Sequence, residues 1–190
     1  MKTEIHEKTV TTEEYLREYV NVEEFLEMCK ACENYGSKWS CPPFDFNPED
    51  YWKKYDSFKV YGVKIILEEG DWEKWPKLMK TVKQEMTEHL FKEEKKHPGS
   101  ISLSAGSCGI CEGGPETLTE KSTYEEAFGR NCCTKKDGLP CRHPESMRYS
   151  IEALGGNVGL TASRLLGIEL QWIEEGKNPD YFVLVGGLLY

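Results

Sequence analysis

Lys59-Val60-Tyr61-Gly62-Val63-Lys64-Ile65-Ile66-Leu67 is the stretch on which the fold turns. It is dense in β-branched and aromatic residues and reads as a strand. Downstream, Pro76 stands at a favoured first helical position, and Leu78, Met79, Val82, Met86, Leu90 and Phe91 recur at helical spacing, which predicts a long amphipathic helix. His97-Pro98-Gly99 ends it, and Ser100 to Ala105 is a second strand that runs into Gly106-Ser107-Cys108-Gly109-Ile110-Cys111. Near the far end, Ile168 to Ile173 and Tyr181 to Val185 read as strands joined through Gly176-Lys177-Asn178-Pro179-Asp180, a hairpin signal. The order β-α-β, then helices, then β-β predicts an α+β fold. Its mixed or antiparallel sheet would carry helices on one face, with cysteine-rich loops attached at one end.

Toward the N-terminus, Asn21-Val22-Glu23-Glu24 is an N-cap with a capping Glu. It opens a helix that places Phe25, Leu26 and Cys29 on one face, and a shorter helix from Thr12 to Tyr19 precedes it. Asn34-Tyr35-Gly36 stops that helix, and Trp39 to Pro48 is an irregular loop rich in proline and aromatics. Between residues 112 and 131 lies an insertion with one short helix around Tyr124 to Phe128. Pro144 is expected to open a further helix closed by Gly155-Gly156, and Asn157 to cap another ending near Leu166-Gly167. No linker or composition break divides the chain, so residues 1–190 are read as a single domain.

The formal net charge of −9 argues against an electrostatic grip on nucleic acid or anionic lipid. Lysines from Lys74 to Lys96 alternate with Glu73, Glu85, Glu88, Glu93 and Glu94, as on a solvated helix face. The first eight residues lack an apolar core for a secretory signal, and the apolar run Tyr181 to Tyr190 is far short of the ~20 residues that cross a bilayer. A cytoplasmic, reducing location is therefore expected, with no membrane and no nucleic acid among its partners.

Eight cysteines fall in two groups: Cys29, Cys32 and Cys41, then Cys108, Cys111, Cys132, Cys133 and Cys141. Each group holds a Cys-x-x-Cys pair and ends in a cysteine set among prolines. Such a turn converges two sulfurs on one metal, either tetrahedral zinc or an iron–sulfur cluster. Cys108, Cys111, Cys133 and Cys141 make a complete set of four, with Cys132 as the neighbouring alternative to Cys133. The first group offers three, which suits a [4Fe–4S] cluster with one open iron better than a structural zinc. Gly106, Gly109, Gly113 and Gly114 let backbone amides approach the sulfur atoms. One or two [4Fe–4S] clusters, in electron transfer or as a redox subunit, are thus the leading expectation. A small-substrate enzyme with an open cluster site and a zinc-stapled module are the alternatives. The implied partner is a redox protein or a small-molecule substrate.

Several segments carry a family resemblance. They are Cys29-Lys30-Ala31-Cys32-Glu33-Asn34-Tyr35-Gly36, Trp39-Ser40-Cys41-Pro42-Pro43, Ala105-Gly106-Ser107-Cys108-Gly109-Ile110-Cys111, Pro140-Cys141-Arg142-His143-Pro144-Glu145 and Met147-Arg148-Tyr149-Ser150-Ile151-Glu152-Ala153. In these the chain resembles domain of unknown function 2284, a predicted metal-binding protein family. The resemblance implies metal binding by the cysteines, and spacing back from Cys141 makes Cys133 the better match to the family's third cysteine.

Arg142 and Arg148 are candidates to bind an anionic substrate or screen a negative cluster, with pairing to Glu145 or Glu152 as the competing reading. His143 reads as capping or as support for Cys141 more readily than as a ligand. Glu152 and Glu169 lack a partner carboxylate that would argue for acid–base chemistry. Trp39, Trp52, Trp72, Trp75 and Trp172 are expected in the core and as lids over the metal sites.

Overall fold

Lys2–Thr11 forms an edge strand, β1, that is absent from the sequence-based expectation. It alternates threonine and isoleucine with charge, and most of it faces solvent, so it lacks the apolar signature of an inner strand. The computed structural model describes residues 1–129, 132–173 and 178–190. Helix α1 (Thr12–Tyr19) comes directly after β1, capped by the Thr11 hydroxyl accepting from the Glu14 amide. Helix α2 (Val22–Lys30) is capped by Asn21 as its sequence predicts, so Cys29 lies in its last turn and Cys32 just beyond it. A short α3 (Pro48–Trp52) leads to β2 (Ser57–Ile66), the long helix α4 (Trp75–Lys96), a brief β3 (Ile101–Leu103) and α5 (Tyr124–Phe128). A last helical stretch is α6 (Val158–Leu160), continued by a π-helical turn over Thr161–Leu165, and β4 (Tyr181–Leu189) completes the sheet.

The four strands run in the order β1-β2-β4-β3 and every neighbouring pair is antiparallel. Side chains alternate across the strands, so each face has its own core. Tyr61, Val63 and Ile65 meet Val82, Met86 and Leu90 of α4 on one face. Phe58, Val60, Val185 and Leu189 meet Tyr15, Trp52, Ile151 and Leu154 on the other. The expectation of helices on a single face is corrected: α4 covers one side, while α1, α3 and the segment around Ile151 cover the other. At Gly62 a Cβ would lie 2.4 Å from Leu166 Cδ1, so this position in β2 must stay bare to admit that second layer.

Two further expectations are overturned. Residues 168–173 form no strand, although Ile168 is buried. Side chains tie them to β4: the Tyr181 hydroxyl donates to Glu169 O at 2.7 Å and the Asp180 amide to Gln171 Oε1 at 2.7 Å. Of the predicted hairpin turn, residues 176 and 177 lie outside the described residues, as does residue 131 at the end of the insertion. Nor does Pro144 open a helix reaching Gly155. The chain turns at 144–146, extends, and makes only a short 3-10 turn over Glu152–Leu154. The extended part has other work: Ser104 donates its amide to Tyr149 O at 2.8 Å, and Ser104 pairs with Ser150 in an isolated parallel bridge. Trp172 is no lid either, being 71% exposed.

Candidate metal centre

That departure of Ser104 shapes the whole site. β3 pairs with β4 only from Ile101↔Leu189 to Leu103↔Gly187, and then the chain peels away to meet Ser150. A cavity of about 360 Å³ lies beyond that point, with Val183, Leu184 and Val185 of β4 along one wall. Cys29, Cys32 and Cys41 line the same cavity. On the other side of the 38–41 segment, Cys108, Cys111, Cys132, Cys133, Cys141 and His143 surround a space of about 30 Å³. The fold therefore gathers each cysteine group around its own space, one roomy and one tight.

Within each group the thiols act on one another. Burial pushes Cys29 up to about 11, and the charges of Cys41 and Cys32 add to the effect. Burial also raises Cys111, with Cys108, Cys133 and Cys141 reinforcing it and Arg142 opposing. Cys41 and Cys108 are raised too, mainly by burial. Desolvated thiols that repel each other's anions are the state expected before a cation compensates them.

The segment Lys38-Trp39-Ser40-Cys41 joins the two groups. The Trp39 amide donates to Cys133 Sγ at 3.3 Å, and the Trp39 indole donates to Leu139 O at 3.2 Å. The Ser40 hydroxyl accepts from the Cys108 amide at 3.0 Å. Lys38, almost wholly buried, donates to Ser107 Oγ at 3.2 Å and forms an ion pair with buried Glu112. From the other side, Lys135 reaches back to Cys41 O at 2.7 Å and Pro43 O at 3.1 Å. Amides of Ile110 and Arg148 also direct their N–H groups at Cys108.

The competing readings for the arginines resolve differently. Arg148 pairs with neither the Glu145 nor the Glu152 carboxylate. It grips Glu94 of α4 with two hydrogen bonds of 2.7 Å and caps the Glu145 and Met147 carbonyls. Its guanidinium is thus engaged in structure, while its amide serves Cys108. Arg142 is exposed and near enough to Cys111 to favour the thiolate. Cys132 is exposed, whereas Cys133 is half-buried and takes the Trp39 amide.

Sequence reasoning missed Lys38, Glu112 and Lys83, and it weighed Glu152 only as an arginine's partner and as an acid–base group. A lysine immediately before Trp39-Ser40-Cys41 was the available signal for the first. The others sit on distant segments, and only the fold brings them to the cysteines.

Among the described residues, no three His, Cys, Asp or Glu side chains stand ready to hold one ion as they are placed. The chemistry of the donor set nevertheless fits a metal. Cys29, Cys32, Cys41, Cys108, Cys111, Cys132 and Cys141 carry no disulfide, the groups are partly buried, and backbone N–H groups point at two of the sulfurs.

Fold and site together define an α+β protein with two thiol-lined spaces, the larger of them beside β4. The family described as predicted metal-binding protein (DUF2284) matches residues 16–190, and the chain belongs to it. No curated protein and no solved structure matches the chain. Among the described residues, no helix is long and apolar enough to cross a membrane.

Proposed function

We propose that this is an iron–sulfur protein of a reducing, cytoplasmic compartment, with a closed redox group and an open, substrate-facing group. Cys108, Cys111, Cys133 and Cys141 form the closed set. Cys29, Cys32 and Cys41 form the open one. The observation that carries this reading is the contrast in space: three thiols face a cavity of about 360 Å³, while the other group bounds about 30 Å³. Bound [4Fe–4S] clusters would supply electron storage at both groups and, at the open one, an iron accessible to a small molecule.

The protein's own residues do the rest. N–H donors at Cys108 and Cys133 lower the electron density on those sulfurs, which favours the reduced state. Arg142 adds positive charge at the exposed rim, where a redox partner protein would approach. Lys135 and the Lys38–Glu112 pair fix the two groups relative to each other.

The tight, four-thiol group also suits a single zinc, and that is the second reading. Anaerobic purification separates the two. A brown protein with several irons and matching acid-labile sulfide per chain is expected. Colourless protein with stoichiometric zinc would overturn the iron–sulfur reading.

A further inference from the structure

The large cavity carries features that the thiols do not use. Lys83, from α4, lines it and donates a single hydrogen bond among the described residues, to Ser107 O at 2.7 Å. Its ammonium also lies 5.9 Å from the centre of the Phe128 ring, and among the described residues two of its N–H groups make no hydrogen bond. Glu152 lines the same cavity, and its Oε2 is sealed from solvent with no hydrogen-bond partner among the described residues. Leaving such an atom unpaired costs about 1–3 kcal/mol, so it marks a place where a ligand can contribute.

Lys83 and Glu152 sense each other's charge, yet they form no ion pair. Burial, the largest effect at both, pushes Lys83 down and Glu152 up. The other groups whose charge reaches them are Glu112 and Lys38, already spent on each other, Cys108 on the Lys83 side, and Cys29 and Tyr15 on the Glu152 side. The rest of the wall is mixed: Met79, Phe128 and Leu184 are apolar, while Glu33, Asn34 and Tyr124 are polar. A volume of about 360 Å³ sits at the small end of ligand pockets, the size of a metabolite.

We infer that the cavity binds a small zwitterion, an α-amino acid with an apolar side chain. Its carboxylate meets Lys83, its ammonium meets Glu152, and its side chain lies against Met79, Phe128 and Leu184. Neither charge would then stand alone in the interior, which is the requirement for holding charge away from water. The assignment goes beyond the metal reading and concerns the same cavity that Cys29, Cys32 and Cys41 line.

Isothermal titration of the anaerobically isolated full chain with L-leucine and L-phenylalanine tests it, with metal and sulfide content measured on the same samples. Saturable binding of at least one of them is expected. N-acetylation, which removes the ammonium, and amidation, which removes the carboxylate, should each weaken binding by about tenfold or more. Lys83→Met and Glu152→Gln should weaken it similarly while metal content holds. No saturable binding up to about 10 mM, or equal binding of the blocked derivatives, would overturn the inference even if either variant failed to fold. A protein without iron that still bound the amino acid would leave this site standing and remove only the cluster reading.

Discussion

One cysteine group looks into a cavity, and the other closes on itself, although both begin with the same Cys-x-x-Cys spacing. The difference arises downstream of each pair. After Cys32 the chain turns at Gly36, whose amide bonds Pro42 O at 2.7 Å, and Cys41 returns along the cavity wall. After Cys111 comes a long insertion, and Cys133 and Cys141 then arrive from the far side to complete the ring. Equal local motifs thus border an open and a tight space, because the cysteines that follow each pair return along different segments. Spacing within a pair sets the chemistry, and the returning segments set the access.

The link between the groups is where this contrast is most easily lost. Lys38→Met leaves the buried Glu112 carboxylate without its cation, at a cost of about 3–5 kcal/mol. Urea denaturation should show that loss, with metal falling at both groups. The double variant Lys38→Met/Glu112→Leu should recover most of the stability.

Arg148→Ala should act on the closed group alone and cost about 2–3 kcal/mol, because its bonds to Glu94 hold the segment whose amide faces Cys108. This carries a pH signature. Burial alone would raise Glu94, but hydrogen bonds from Arg148 and Ser102 outweigh it and hold the carboxyl below 4.5. Its contribution is fully present above pH 4.5 and is lost as pH falls through the lower folded value. The variant's stability should therefore decline less steeply on acidification than that of the parent, as thermal unfolding across acid pH would reveal.

Smallest is Ser40→Ala, which removes the acceptor for the Cys108 amide and should cost about 1 kcal/mol. A modest fall in metal affinity at the closed group, with the open one unchanged, would set the two further apart. Equal falls at both would blur them.

Much of the framework is legible in the residues themselves. β2 shows its β-branched run, α4 its periodicity and Pro76, and α2 its Asn21 cap, because each signal is local. β1 stays hidden because an edge strand with one wet face needs few apolar residues. Ile168 and Leu170 alternate like a strand because side-chain burial alone produces that pattern, with or without a ladder. The stretch after Pro144 has helical punctuation, yet its backbone is claimed by Ser104 and Cys108, partners more than thirty residues away. At the site, the cysteines declare themselves by spacing. Lys83 and Glu152 become neighbours only because β3 leaves the sheet after Leu103, a tertiary event with no local signal.

Two separate thiol groups that hold metal independently, one open and one closed, underlie all of these expectations. Iron, zinc and sulfide counts per chain in anaerobically prepared Cys41→Ala and Cys133→Ala decide whether they exist. Each variant should lose one group's complement and retain the other's. Loss of the same complement from both variants would refute the two-site arrangement, since a single shared centre would then lie behind all the cysteines.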